Sequence, residues 1–147
     1  MAASCRFAFA VHILTVLALK RDGSVTSETL AGSVNTNPVV IRRLMTELRR
    51  AGLVTTHMGA GGGAALTRAP EEITLNEVYR AVETGVSFSL HPQQPNQRCP
   101  VGRKIEVVLD AVFASAQQAL ESALASRTLA EVLEDVESAP EHPTAAA

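Results

Sequence analysis

Apolar residues recur at helical spacing along most of the chain. Phe7, Val11, Leu14 and Ala18 predict a first helix from about Cys5 to Lys20, with Ser4 able to cap it. Asp22–Gly23–Ser24 reads as a turn. A second helix runs from near Ser27 to about Val34, capped by Thr26 or Ser27, with Leu30 and Val34 inward; Asn35–Thr36–Asn37 breaks it. Asn37–Pro38 is a strong start for a third helix, because Asn caps well and Pro fits a first position whose N–H has no partner. That helix extends to about Ala51. Ile41, Leu44, Met45 and Leu48 form its apolar stripe; Arg42, Arg43, Glu47, Arg49 and Arg50 lie largely on its other faces, and Gly52 suits its end.

The period then changes. Leu53–His57 is β-like, four glycines fall between Gly59 and Gly63, and Ala64–Thr67 returns as a second strand, so a hairpin with a flexible, Gly-rich tip is predicted. Ala69–Pro70 ends it. A fourth helix fits Leu75 to Glu83, with Thr74 as cap and Leu75, Val78, Tyr79 and Val82 inward. Residues 85–98 are irregular. Pro100 opens a long helix to about Ser126, whose apolar positions Val101, Ile105, Val108, Leu109, Val112, Phe113, Ala116, Leu120 and Leu124 keep a helical period. At 1.5 Å per residue it would be roughly 40 Å long. Thr128 can cap a last short helix through Val136, and the tail, 138–147, is expected to be disordered.

The fold class read from this order is mainly α: a winged helix-turn-helix with a small β-hairpin wing and a long C-terminal dimerisation helix. Residues 1–84 form the DNA-binding domain, 85–99 a linking loop, and 100–137 the long and short terminal helices. With 147 residues, 46% hydrophobic but only 3% aromatic and without Trp, the core must be aliphatic. The apolar run Phe7–Leu19 is short and is interrupted by His12 and Thr15. Nothing resembles a secretory signal or a membrane span, and a cytoplasmic protein without membrane attachment is expected. The net charge of −2 conceals a split: residues 1–70 hold eight Lys/Arg against three Asp/Glu, and residues 71–147 hold five against twelve. A basic front half suits a polyanion, although a small chain can show such a split by chance.

Double-stranded DNA is the partner this pattern suggests. The major groove admits one α-helix, read from its N-terminal residues. Here those are Asn37, Val39, Val40, Arg42 and Arg43. Arg can bond guanine bidentately, Asn can do so to adenine, and a Val methyl can meet the thymine methyl. A glycine tip suits close approach to a minor groove, with His57, Gly61 and Arg68 as wing contacts. The full candidate set adds Arg6 and Thr26. The alternative is that the arginines form a solvated face and the glycines a loose loop. No nucleophile–base pair, carboxylate pair or phosphate loop is present; the Gly59–Gly63 run lacks the Lys–Ser/Thr of a P-loop, and an enzyme is not indicated.

The segments Asn37–Leu44, Leu48–Val54, Gly59–Gly63, Ile73–Val82 and Arg98–Ile105 together resemble the Rrf-type transcriptional regulators, including their YwnA-like branch. The resemblance covers residues 4 to 136. It implies a homodimer held by the long helix, through Ile105, Val108, Leu109, Val112, Phe113, Ala116 and Leu120, and a partly palindromic operator, with repression more in keeping than activation. An apolar stripe of that length independently favours pairing, though burial against the first helix is the competing reading. Met58 stands where relatives such as IscR carry an arginine, which weakens the expected wing contribution. Many members ligate an iron–sulfur cluster through three closely spaced cysteines, where this chain has Cys99 alone. One thiolate cannot hold a cluster that needs four ligands, so no cofactor and no metal are expected. Cys99, just before a helix start and near Arg98, Arg103 and Lys104, could instead be a redox-sensitive thiol, or a relic of the lost ligand set. Cys5 reads as a packing residue and His12 as a core or interface histidine rather than a ligand. A protein-interaction module, with the acidic half docking a regulatory protein partner, is the other function class the sequence allows.

Overall fold

A computed structural model describes residues 4–21 and 23–143. Its elements follow the predicted order. Three helices, α1 (Arg6–Leu19), α2 (Ser27–Val34) and α3 (Pro38–Arg50), precede a two-stranded antiparallel hairpin, β1 (Val54–His57) and β2 (Gly63–Leu66). A 3₁₀ turn (Pro70–Glu72) leads to α4 (Leu75–Val82), α5 (Ile105–Ala125) and α6 (Leu129–Ser138). The fold is mainly helical with one small wing among the described residues, as the pattern predicts. Of the expected tail, 139–143 form no helix or strand and 144–147 lie outside the described residues, as does Asp22 of the expected turn.

The core is aliphatic and centres on α1. Ala10, Ile13, Leu14, Leu17 and Ala18 are buried with Leu30, Ile41, Leu44, Leu48, Leu53, Val54, Val78, Val82 and Leu129. Burying one such Leu or Ile contributes roughly 1.5–3 kcal/mol. An exposed pair such as Arg21–Glu71, at 3.4 Å, contributes about 0–1 kcal/mol. The apolar core, not the surface ion pairs, therefore sets how the helices sit. On α1 the buried face differs from the stripe read in the sequence: Phe7 and Val11 are half-buried, and Ala10, Ile13 and Leu17 are fully covered. Most of α1 is apolar around its whole circumference, so spacing alone does not select a face. On α2, Leu30 and Ala31 are buried and Val34 is half-buried.

Caps fix the helix starts. Thr26 Oγ1 accepts from Thr29 N at 3.2 Å and Asn37 Oδ1 from Val39 N at 2.8 Å. Thr74 and Thr128 each form a reciprocal capping box, with Glu77 and Glu131 respectively. The two boxes stand side by side. Thr74 and Thr128 form an antiparallel bridge, Leu75 N donates to Arg127 O (2.9 Å), and Leu129 N donates to Ile73 O (2.8 Å). The starts of α4 and α6 are thereby stapled together. Asn35 takes a left-handed conformation (φ 61°) and ends α2, which lets α3 set off in a new direction.

The long helix begins later than predicted, at Ile105 rather than Pro100, and its 21 residues span about 32 Å. Residues 96–104 form turns instead. Asn96 O accepts from Cys99 N (3.1 Å), Asn96 Oδ1 accepts from Arg98 N (2.9 Å), and Gly102 packs so tightly on Asn96 that an added Cβ would lie 2.3 Å from its carbonyl oxygen. No residue of α5 is buried. Its main contact within the chain is α4, not α1. No helix among the described residues is long and apolar enough to cross a membrane.

Candidate nucleic-acid interface

The exposed half of α3 and the wing form one continuous surface. Val39 and Val40, in the first turn of α3, are 48% and 37% exposed, which suits contact with thymine methyls. Arg42 and Arg43 follow, both exposed. Arg42 Nη2 lies 3.1 Å from Glu28 Oε1 on α2; Arg43 makes no hydrogen bond or ion pair among the described residues. Asn37 is exposed, but its Oδ1 already caps α3. A bidentate contact to adenine would compete with that cap. Thr26 is likewise engaged as the cap of α2.

The wing is pinned near its tip end, at the start of β2. Val25 N donates to Ala64 O (3.0 Å) and Ala64 N to Val25 O (2.8 Å). Gly63 faces the Val25 backbone so closely that a Cβ would sit 2.7 Å from its oxygen. The glycine there serves packing of the wing against the loop before α2, in addition to leaving the tip bare. At the tip, Gly59 and Gly61 adopt positive φ (90° and 74°), and Met58 is 99% exposed. His57 is exposed at the end of β1.

Between α3 and the wing runs a groove of about 260 Å³, whose polar lining comes from Ser27, Arg42, Thr46, Arg49, Thr56 and His57. Arg49 Nη1 reaches Thr56 Oγ1 at 3.5 Å and joins the two walls. Val25, Met45, Met58 and Ala64 supply an apolar floor and rim, and the hydroxyls and cations above them suit a sugar–phosphate strand. The sequence reading passed over Ser27, Thr46, Arg49 and Thr56. The signal available was the i, i+4, i+7 spacing of Arg42, Thr46 and Arg49, which places them on one face of α3.

Two candidate arginines lie elsewhere. Arg68 is half-buried; its Nη1 donates to Glu72 O (3.0 Å) and its Nη2 to Glu77 Oε1 (2.8 Å). Thr74 N donates to the Glu77 carboxylate and lowers its pKa; burial opposes this, and Arg68 adds to the lowering. Arg6 pairs with Glu47 and donates to Val82 O (3.1 Å). Both guanidiniums are bound internally. Cys99 is half-buried in the turns before α5; backbone N–H groups of Gly102, then Val101, lower its pKa. Cys5 is exposed, and His12 Nε2 lies 2.9 Å from Ser33 Oγ.

The family model described as Rrf2, iron-dependent transcriptional regulator, matches residues 3–135. The chain belongs to the Rrf2 family. YwnA of Bacillus subtilis, provisionally named an HTH-type transcriptional regulator, is 45% identical over 129 residues, 87% of this chain and 94% of YwnA. The HTH-type transcriptional regulator CymR of the same organism is 31% identical over 101 residues, 67% of this chain and 73% of CymR. Among solved structures, IscR of T. potens superposes with a TM-score of 0.72 at 26% identity, over 97% of this chain and 93% of that one. As an Rrf2 member the chain is a DNA-binding transcriptional regulator with a winged helix-turn-helix, and its relatives are regulators rather than enzymes. The family description implies iron, but the donor set here does not fit an iron centre. Among the described residues no three His, Cys, Asp or Glu side chains are placed to hold a metal ion, and the whole sequence has two cysteines, one before α1 and one before α5.

Proposed function

We propose that this Rrf2 protein acts as a homodimeric repressor, placing the α3 helices of two protomers in successive major-groove half-sites of a partly palindromic operator. Base reading falls to Val39, Val40, Arg42 and Arg43, with the free amide N–H₂ of Asn37 beside them. Arg49, Thr56, His57 and the backbone at Gly61 hold the flanking strand. The observation that supports pairing is α5. Val107, Val108 and Val112 are 76%, 56% and 53% exposed, and Ala111, Ser115 and Ala119 continue an uncharged face beside Val108 and Val112. Of the positions assigned to the interface from sequence, Val108, Val112 and Leu120 are exposed, while Ile105, Leu109, Phe113 and Ala116 are half-buried on the side nearer the chain's own fold. An exposed uncharged stripe from Val108 to Leu120, about 18 Å of helix, is costly to leave in water, and a second copy related by a two-fold axis would cover it.

Regulation in this reading does not use an iron–sulfur cluster. Cys99, held toward thiolate, gives the loop before α5 a group that oxidants attack preferentially. Work on an operator places the protein with the DNA, in the cytoplasm of a bacterial cell.

Sedimentation and DNA binding test this together. The parent should sediment at twice the 15.5 kDa of one chain. Val112→Glu should shift it toward monomer and weaken operator binding at least tenfold. A parent that is monomeric at micromolar concentration yet binds operator fully would overturn the proposal.

A further inference from the structure

Arg6 lies where three helices meet. The end of α4 leaves carbonyl oxygens without helical partners, and Arg6 Nε donates to one of them, Val82 O, at 3.1 Å. The same guanidinium pairs through Nη2 with Glu47 on the recognition helix, 41 residues away in sequence. Ser4 Oγ donates to Glu83 Oε1 (2.9 Å) and accepts from Arg6 N (3.2 Å), which ties the entry to α1 onto the same end of α4. One residue on, Phe7 meets Tyr79 of α4 edge-on, with centroids 5.7 Å apart. On its other side α4 carries α5: Arg80 pairs with Glu121, and Gln117 Nε2 donates to Tyr79 Oη at 3.5 Å. The start of α1 thus adds polar and aromatic ties to the direct packing of the recognition helix against α4, which in turn carries α5.

We propose that Arg6 is a positioning residue, not a phosphate contact. It fixes the angle of α3 relative to α4 and α5 and so sets the separation of the two recognition helices on DNA. The proposal rests on the homodimer reading above. A phosphate brought to Arg6 would lie beside the Glu47 carboxylate that Arg6 already holds, with Glu83 close by, and like charges oppose that placement. A guanidinium shared by a helix-end carbonyl and a carboxylate suits a fixed joint, because its donors diverge in a rigid plane.

The test uses the full chain, with Arg6→Gln and Glu47→Gln, on an operator selected from random DNA and on versions with the half-sites one base pair closer or further apart. Sedimentation of each protein is measured alongside. Both variants should lose the parent's preference for the original spacing, by fivefold or more, with the slope of log affinity against log salt unchanged. Glu47→Gln neutralises the carboxylate and leaves at most a weaker neutral hydrogen bond while keeping the cation, and decides the matter alone if Arg6→Gln does not fold. In a dimeric parent, a salt slope reduced by about two for Arg6→Gln, roughly 0.9 for each lost phosphate contact, together with intact spacing preference in Glu47→Gln, overturns the inference alone. A monomeric parent overturns the dimer reading and this inference with it.

Discussion

Arg43 and Arg42 sit next to each other on the exposed side of α3 but carry different obligations. Arg42 is paired with Glu28, and a base contact must replace that pair; Arg43 has none among the described residues to replace. Arg43→Ala is therefore expected to lose about 1–3 kcal/mol of operator binding, concentrated at one base position. Arg42→Ala should lose less, because the parent gives up an exposed pair worth about 0–1 kcal/mol when it binds. Fluorescence anisotropy with matched and single-mismatch duplexes measures both. The exposure of both arginines was legible in the sequence because the cap at Asn37 and the apolar stripe Ile41–Leu48 fix the phase of the helix. The positions of Arg6 and Arg68 were not. Arg6 finds its carboxylate 41 residues away and Arg68 finds Glu77 across a turn, so neither partner follows from local spacing.

Among the elements, α4 and α6 depend on their starts. Each is short, at 8 and 10 residues, and each begins with a capping box. Thr74→Ala should cost about 1 kcal/mol and lower Tm by roughly 2–4 °C, seen by calorimetry. Both capping carboxylates, Glu77 and Glu131, titrate below the ordinary range because the folded chain donates hydrogen bonds to the ionised form. The sign follows: this stability is fully present above the unfolded pKa of about 4.3 and is lost as pH falls through the lower folded values. Denaturation midpoints should fall below about pH 4.5, and Glu77→Gln should flatten that fall. The caps and helix order were readable because Ser, Thr, Asn, Pro and Gly mark ends by local chemistry. The start of α5 was misplaced because the Gly102–Asn96 contact holds 96–104 in turns, and a packing contact leaves no local signature.

At the scale of the molecule, the basic front half carries the DNA face and the acidic back half carries α5 and α6. That division leaves the front half with a net positive charge despite Glu28 and Glu47, and operator binding should fall steeply with added salt. In the proposed dimer two such faces would stand side by side, and the operator should show it as two half-sites about one helical turn apart. Selection of bound duplexes from a random pool, run with the parent and with Arg43→Ala, tests whether α3 reads the operator in pairs. The parent should enrich a partly palindromic site, and Arg43→Ala should lose discrimination at one position in each half. Enrichment of no site, or the same site read equally well by both proteins, would contradict it.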